Sequence, residues 1–168
     1  MHEANLTEEQ QERVRLLLEA FDGCISKSDD DVGLTSTVSH KIELTKDTAI
    51  KQPIRRVTGP LAEQIEDILK KDHADGIIRP SNSPWSSCIV PVKKRCGGLR
   101  LAIDYRLLNR LTVKDSFPLP NLTDAVYNLH GSAYFSTLDL TRGYYNVPMD
   151  EDSIPLTAFS TNRSHWEF

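Results

Sequence analysis

Residues 135–149 read Phe135-Ser-Thr-Leu-Asp-Leu-Thr-Arg-Gly-Tyr-Tyr-Asn-Val-Pro-Met149, with one carboxylate, Asp139, between a strand-like apolar run and a turn. A carboxylate at the end of an apolar strand is costly unless it is paired, hydrogen-bonded or bound to a metal ion. A metal ligand of a phosphoryl-transfer enzyme lies in such a place, although a lone aspartate is more commonly a cap or a turn former. The segment by itself leaves both interpretations open.

The composition is that of a globular chain. Of 168 residues, 39% are hydrophobic and 26% are charged, which suits one domain or part of a larger one. No apolar run approaches the ~18 residues of a membrane span, and the polar N-terminus predicts no secretion signal, so we expect an intracellular protein. Three cysteines without a Cys-x-x-Cys pair argue against a disulfide scaffold and a zinc site.

The charge is unevenly distributed along the chain, although the net charge is only -4. Residues 1–50 hold 5 basic and 11 acidic side chains, a net charge of -6. Residues 51–115 hold 13 and 7, a net of +6, and residues 116–168 hold 2 and 6, a net of -4. A basic middle between acidic ends is typical of a polyanion-binding surface, and equally of a solvated lysine-rich one.

The N-terminal pattern predicts a helix over residues 8–22. Thr7 and Gln10 form a Thr-x-x-Gln capping box, and apolar residues then recur at helical spacing. Residues 26–39 are polar and predict a linker. Residues 40–45 alternate in polarity, which indicates a short strand.

A second helix is predicted from Pro60, a residue favoured in the first turn, to about Gly76. Residues 77–87 carry prolines, serines and asparagines and predict an irregular connection. Farther along, Asn121 is expected to cap a third, short helix.

Residues 88–94 and 99–105 are strand-like, and Arg95-Cys-Gly-Gly98 between them predicts a hairpin turn. Pro91 has no N–H to donate to a neighbour, so the first of these strands is expected at a sheet edge.

The C-terminal third is predicted to contain strands. Residues 134–140 read as one strand and residues 145–149 as its returning partner, with two more short strands within 157–168.

The predicted hairpin is basic. Lys93, Lys94 and Arg95 precede the turn and Arg100 follows it, so pairing of the strands would bring Lys94 near Arg100. Such a cluster is able to clamp a triphosphate or a nucleic-acid backbone. The alternative is that these side chains protect a strand edge from aggregation.

Asp104 and Arg106 are two residues apart and would point to the same side of a strand. They are expected to form an ion pair or to face a ligand together, and the ion pair is the safer interpretation.

The carboxylates at 150–152 lie in a polar run that indicates a solvated loop.

Several segments, taken in this order, match one family: Ile78–Lys94, Leu101-Ala-Ile-Asp-Tyr-Arg-Leu-Leu-Asn109, Ser116-Phe-Pro-Leu-Pro-Asn121, Tyr134-Phe-Ser-Thr-Leu-Asp-Leu-Thr-Arg-Gly-Tyr144, Ile154-Pro-Leu-Thr-Ala-Phe-Ser-Thr161 and His165-Trp-Glu-Phe168. Together they resemble the reverse transcriptase region in the Pol polyprotein of Gypsy-type long-terminal-repeat retrotransposons. The resemblance covers about residues 51–168. Residues 1–50 resemble, more loosely, the segment that joins protease to reverse transcriptase.

The resemblance implies roles for named residues. Asp139 would bind Mg²⁺ (or Mn²⁺) through its carboxylate, with help from the Leu140 carbonyl. Lys94 and Arg100 would hold the phosphates of the incoming deoxynucleotide. Tyr144 would be the steric gate that excludes a ribose 2′-OH.

Asp104 and Arg106 would help to place the fingers and the templating strand. At Arg95-Cys96-Gly97 the chain departs from the family, in which Lys-Asp-Gly is usual, so an acidic residue is lost at the turn.

The resemblance implies an α+β fold: the fingers and the first part of the palm of a right-hand polymerase, with an N-terminal helical extension. The expected domains are residues 1–50, the connector, and residues 51–168, the reverse transcriptase part. The implied partners are an RNA/DNA template-primer and deoxynucleotides, with no membrane. The implied location is inside the cell, including retroelement particles. The oligomeric state is not indicated.

The family's Pro-Phe-Gly-Leu and Tyr-x-Asp-Asp motifs do not occur in these 168 residues. Because two-metal catalysis needs several anionic ligands, we expect a chain truncated before that motif and inactive by itself as a polymerase. The alternatives are a non-catalytic remnant that binds nucleic acid or a partner, and a truncated element or gene fragment.

Overall fold

The computed structural model describes residues 5–28, 31–94 and 97–168. Within these ranges the helices are α1 (Glu8–Ala20), α2 (Pro60–Ala74), α3 (Arg106–Leu111) and α4 (Leu122–Asn128), with 3₁₀ turns at Asp22–Cys24, Gly143–Asn146 and Ile154–Thr157. The strands are β1 (Arg79–Pro80), β2 (Ser87–Lys93), β3 (Leu99–Asp104), β4 (Phe159–Ser160) and β5 (His165–Glu167). The mixture of helices with a largely antiparallel sheet agrees with the predicted α+β class.

The chain divides into two compact units. The helical unit comprises Met1–Thr35 and Asp115–Val147, and the sheet unit comprises Ser36–Lys114 and Pro148–Phe168. The predicted domain boundary at residue 50 concerns the longer polyprotein and stays a prediction.

In the helical unit, α1 begins with the predicted capping box. The Thr7 hydroxyl accepts a hydrogen bond from the Gln10 N–H, and the Gln10 side chain accepts one from the Thr7 N–H. No described residue of this helix is buried. Asp29 and Asp30, within the predicted linker, lie outside the described residues.

The rest of the helical unit differs from the prediction. Asn121 caps α4 as expected, because its side-chain oxygen accepts from the Thr123 N–H at 2.9 Å. Residues 134–140 form no strand, and residues 145–149 begin in a 3₁₀ turn instead of returning as a partner. A strand needs a hydrogen-bonded neighbour, and none of the described segments pairs with residues 134–140, so the two-strand prediction is wrong.

In the sheet unit the strand order is β1-β5-β4-β2-β3, with a parallel pairing between β2 and β4 and antiparallel pairings elsewhere. The two short C-terminal strands predicted within 157–168 are β4 and β5. β1 lies inside the stretch predicted to be irregular. Residues 40–45 form only isolated bridges, at His40 and Leu44, so the strand predicted there is not present.

Helix α2 covers the sheet through an apolar face. Ile65 and Leu69 are buried in one cluster with Ile78, Ile89 and Phe159. A second cluster contains Trp85, Leu108 and Ala158. These two clusters are the hydrophobic core of the sheet unit.

Helix α2 ends as predicted at Gly76. This glycine has φ of +72°, a conformation that side chains with a Cβ rarely adopt. Its N–H donates to the His73 carbonyl, and the Ile77 N–H donates to the Asp72 carbonyl. These two bonds form a Schellman motif, which terminates the helix and directs the chain into β1.

The predicted hairpin is confirmed, with Cys88 opposite Asp104 at one end and Lys93 opposite Leu99 at the other. β2 is not an edge strand, since β4 pairs with Ser87 and Cys88. The edge prediction from Pro91 is therefore wrong, although the pairing with β4 ends at Cys88, before the proline. β2 is unpaired on that side at Pro91, where the missing N–H is not needed.

Candidate functional site

The register of the hairpin decides which basic residues share a face. Val92 lies opposite Arg100 and Lys93 lies opposite Leu99. Opposite residues of an antiparallel pair point to the same face, and successive residues alternate. Leu99 packs against the core, so Arg100 lies on the outer face. The same alternation, continued by one residue, puts Lys94 on the outer face and Lys93 on the other.

The turn of the hairpin is only partly described. Arg95 and Cys96, where the chain departs from the family's Lys-Asp-Gly, lie outside the described residues. The Lys94 N–H donates to the Gly98 carbonyl at 3.1 Å, which continues the ladder beyond Lys93. Lys94 and Arg100 are exposed, and neither forms an ion pair with a carboxylate that the structure describes.

Asp104 and Arg106 form the predicted ion pair, although not along one strand. β3 ends at Asp104 and α3 begins at Arg106. The Arg106 Nε donates to Asp104 Oδ1 at 2.7 Å, and its Nη2 donates to Oδ2 at 2.6 Å. The hydrogen bond from this guanidinium lowers the pKa of the Asp104 carboxyl from 3.8 to about 2. The planar, two-point contact leaves the remaining guanidinium edge directed at solvent.

Gln52 supports this pair, and sequence reasoning missed it. Gln52 is buried. Its Nε2 donates to the Asp104 carbonyl at 2.9 Å, and its Oε1 accepts from the Cys88 N–H at 3.4 Å. The amide thus holds both members of the last residue pair of the hairpin. Nothing in the local sequence separates this glutamine from a solvated one.

Asp139 lies in the helical unit, in a segment that is neither helix nor strand, between exposed apolar residues. Asp139 itself is exposed, Leu138 is 96% exposed and Leu140 71%. The predicted cost of burying its charge therefore does not arise here. No group of three or more His, Cys, Asp or Glu side chains suited to a metal ion occurs among the described residues.

The turn after Asp139 has a fixed local geometry. A Cβ at Gly143 would lie 3.1 Å from the Leu140 Cβ, so a larger residue would fit only if Leu140 moved by a few tenths of an ångström. The Asn146 side chain donates to the carbonyls of Thr141 and Arg142 at 3.0 and 3.3 Å. Tyr144, on this turn, is 92% exposed.

Helices of the described segments are too short or too polar to cross a membrane.

The fold is that of a reverse transcriptase. The structure of the foamy viral protease-reverse transcriptase in complex with an RNA/DNA hybrid superimposes with a TM-score of 0.83 and 23% identity, over 98% of this chain and 22% of that one. The shared architecture is a five-stranded mixed sheet with helices.

Sequence comparison gives the family. Residues 91–167 match "Reverse transcriptase (RNA-dependent DNA polymerase)". Two relatives are Drosophila melanogaster retrovirus-related Pol polyproteins: that of transposon 297 is 34% identical over 98% of this chain, and that of transposon opus 42% identical over 66%. The chain spans 16% and 11% of their respective lengths.

The chain therefore belongs to the reverse transcriptase family and corresponds to a segment of that domain in the Pol polyproteins of Gypsy-type retrotransposons. Its homologues are RNA-directed DNA polymerases, nucleotidyltransferases that generally use divalent metal ions.

Proposed function

We propose that this chain supplies the nucleotide-binding fingers and the first metal-binding carboxylate of an RNA-directed DNA polymerase. The observation that carries the proposal is the outer face of the β2–β3 hairpin, where the register places Arg100 and Lys94. Both side chains are exposed and lack a described carboxylate partner. Two such cations on one face suit the triphosphate of a deoxynucleotide.

Asp104 and Arg106 are proposed to contact the templating strand. The carboxylate fixes the guanidinium through two hydrogen bonds, so little side-chain freedom is left to lose on binding. The arginine keeps N–H groups that are directed at solvent and suited to a phosphate oxygen. The RNA/DNA hybrid bound by the foamy virus enzyme supports nucleic acid as the partner class.

Asp139 and the Leu140 carbonyl are proposed to bind Mg²⁺. Magnesium is usually held by one or two carboxylates together with water and substrate phosphates, and an exposed carboxylate next to an available carbonyl fits part of that set. The ion, when bound, would lower the charge barrier for attack of a primer 3′-OH on the nucleotide α-phosphate. Tyr144, presented on the adjacent turn, is proposed to contact the deoxyribose and to exclude a 2′-OH.

Titration of the chain with a deoxynucleoside triphosphate, followed by NMR or fluorescence, tests the fingers proposal. Lys94→Ala combined with Arg100→Ala should weaken binding roughly ten-fold, since two charge-assisted contacts are lost. Lys93→Ala is the matched control, because Lys93 lies on the opposite face of the same hairpin. Equal weakening by Lys93→Ala would show that the face is not selective and would contradict the proposal.

Primer extension with Mg²⁺ tests catalysis by residues 1–168 alone. We expect no incorporation, because the described residues hold no cluster of three metal-binding side chains. Incorporation that depends on both Mg²⁺ and Asp139 would contradict this expectation. Salt-dependent RNA or DNA binding without deoxynucleotide binding would favour the alternative of a non-catalytic binding remnant. The net positive charge of residues 51–115 is consistent with that alternative.

A further inference from the structure

The backbone of Gln52 is attached to the chain that enters the β2–β3 hairpin. The Gln52 N–H donates to the Ser86 carbonyl, and the Ser86 N–H donates to the Ile50 carbonyl, each at 2.8 Å. Lys51 and Ser86 form an isolated parallel bridge, directly before β2 begins at Ser87. The segment of residues 50–52 therefore has a fixed place beside the base of the hairpin.

The side-chain amide of Gln52 bridges the two strands at that base. Nε2 donates to the Asp104 carbonyl at 2.9 Å, and Oε1 accepts from the Cys88 N–H at 3.4 Å. Cys88 and Asp104 lie opposite each other in the register of the hairpin. The amide thus joins one backbone acceptor and one backbone donor of a single residue pair, as an added peptide group would.

This bridge needs the chemistry of glutamine. Gln52 is 8% exposed, so water has little access to the two bonds. A carboxylate at this position would accept from Cys88 but would not donate to the Asp104 carbonyl, and an apolar side chain would do neither. The bridge is therefore lost in side chains of similar length that lack either the donor or the acceptor.

The backbone that Gln52 holds carries the carboxylate that holds Arg106. Asp104 accepts from the Arg106 Nε at 2.7 Å and from its Nη2 at 2.6 Å. The Asp104 carboxylate is 12% exposed and the Arg106 side chain 81% exposed. The inner half of the pair is placed by the fold, and the outer half faces solvent. A shift of the Asp104 backbone would therefore change the direction of the guanidinium.

The residue between the two members of the pair is held from another side. The Tyr105 hydroxyl donates to the Thr157 carbonyl at 2.6 Å, and its ring packs against the cluster of Trp85, Leu108 and Ala158. Tyr105 fixes the start of α3, whereas Gln52 acts on the Asp104 peptide itself. The two anchors together leave the junction of β3 and α3 with few orientations.

We propose, on the basis of the template contact proposed above, that Gln52 is a positioning residue for Arg106. It acts through Asp104: the amide sets the Asp104 backbone, and the Asp104 carboxylate then directs the guanidinium at the templating strand. The nucleotide contact at Arg100 lies four residue positions farther along the hairpin, about 13 Å away, and does not depend on this amide.

The NMR signal of the Arg106 Nε–H group reports the positioning directly, and its loss in Arg106→Lys assigns it. The hydrogen bond to Asp104 Oδ1 should slow the exchange of this proton with water. Gln52→Met keeps the length of the side chain and loses both bonds, so the exchange should accelerate roughly five-fold. Gln52→Glu, which loses the donor to Asp104, should have a similar effect. Gln64→Met, the same substitution at an exposed position of α2, should leave the exchange rate unchanged.

Binding to the 168-residue chain gives a second readout. Gln52→Met should weaken binding of a short RNA/DNA primer–template roughly five-fold, because an ordered, charge-assisted contact becomes mobile. Binding of a deoxynucleoside triphosphate should change less than about two-fold, since Lys94 and Arg100 are at the far end of the hairpin. Equal weakening of both would show a general loosening of the hairpin and would overturn the proposal.

Leu69→Ala separates positioning from stability. It removes a core side chain of the cluster that contains Ile65 and Phe159, and it does not touch the Asp104–Arg106 pair. Well below the unfolding temperature, its Arg106 exchange rate and its primer–template binding should stay within about two-fold of those of the unmodified chain. A loss equal to that of Gln52→Met would assign the effect to stability and contradict the proposal.

A reverse measurement does not require a Gln52 variant to fold. Since the amide of Gln52 is connected to Arg106 through Asp104, Arg106→Gln should shift the side-chain ¹⁵N–¹H signals of Gln52. Unchanged Gln52 signals in Arg106→Gln would show that the two residues are not coupled and would overturn the proposal.

The outcomes separate the role of Gln52 from the template contact itself. Weaker primer–template binding in Arg106→Gln, with an unchanged Arg106 exchange rate in Gln52→Met, keeps the template contact and overturns the role of Gln52. Unaffected primer–template binding in Arg106→Gln overturns the template contact, and with it the role of Gln52 in template binding.

Discussion

The carboxylate of Asp104 is 12% exposed, whereas its partner Arg106 is 81% exposed. The pair spans the junction of β3 and α3, and the Arg106 N–H also donates to Asp104 Oδ1 at 3.2 Å. One aspartate thus accepts a hydrogen bond from the first N–H of the helix and orients an arginine. The Asp-x-Arg spacing predicted the pair, but only the structure shows that the pair lies where β3 ends and α3 begins.

The titration of Asp104 is predicted to follow from this geometry. Because the folded pKa, about 2, lies below the ordinary value of 3.8, ionised Asp104 stabilises the fold. That stabilisation is complete above about pH 4 to 5 and is lost as the pH falls through the folded pKa. Carboxyl ¹³C NMR should show a midpoint near 2 in the native chain and a return toward 3.8 in Arg106→Gln. Arg110→Gln, which removes a charge from the same helix, should leave the midpoint unchanged.

Gly143 is favoured by a close approach to Leu140 and not by its φ. Gly143→Ala would force a Cβ against the Leu140 Cβ at 3.1 Å, which should cost about 1 kcal/mol. Amide hydrogen exchange of Tyr145, whose N–H donates to the Arg142 carbonyl at 2.8 Å, should then accelerate roughly five-fold.

Gly23→Ala is the matched control for this change. A Cβ at Gly23 meets nothing within 4 Å, so exchange in the 143–146 turn should not change. An unaltered exchange rate in Gly143→Ala would show that Leu140 moves freely and that the turn is not fixed by this contact.

Among the helices, α1 and α2 show how one periodic pattern leads to two outcomes. Both have apolar residues at helical spacing, yet α2 buries Ile65 and Leu69 while α1 buries none of its described residues. Periodicity predicts that a helix has an apolar face, but the neighbouring elements decide whether that face is covered.

Leu69→Ala should lower the free energy of unfolding of the sheet unit by about 2–5 kcal/mol, because it leaves a cavity in the core. Urea denaturation followed by tryptophan fluorescence is suited to the measurement, since Trp85 and Trp166 both lie in this unit. Leu107→Ala, at a residue that is 39% exposed in α3, should cost less than about 1 kcal/mol. Similar costs at the two positions would contradict the placement of Leu69 in the core.

Some strands, like some features of the helices, were predictable from the sequence, and others were not. The hairpin was predictable because only five residues separate its two strands, so pairing is a local event. Residues 134–140 have the composition of a strand, but composition does not supply a hydrogen-bonding neighbour. The parallel pairing of β2 with β4 joins residues more than 70 positions apart and had no local signal.

At the scale of the whole molecule, the helical unit exposes an unusual amount of apolar surface. Large side chains that are more than half exposed extend along this unit; they include Phe117, Leu119, Leu122, Tyr127, Phe135 and Leu138. Exposed apolar side chains of this size mark an interface or an aggregation hazard where they form a contiguous surface.

The isolated chain is therefore predicted to self-associate as its concentration rises. Sedimentation velocity should show a weight-average mass that increases with concentration. Leu119→Ser combined with Leu138→Ser, at residues 88% and 96% exposed, should shift the association to higher concentration without loss of helical circular dichroism. A strictly monomeric native chain at all concentrations would contradict the prediction.

The sequence by itself determined the family, the hairpin, three helices with their caps, and the identity of Asp139, Lys94 and Arg100 as candidates, because each depends on short-range order or on a motif. The register of the hairpin puts Lys94 on the face of Arg100, as predicted, and tertiary structure alone decided that Gln52 holds Asp104 in place. Strand register and long-range pairing set these positions, and neither is encoded in any single stretch of the chain.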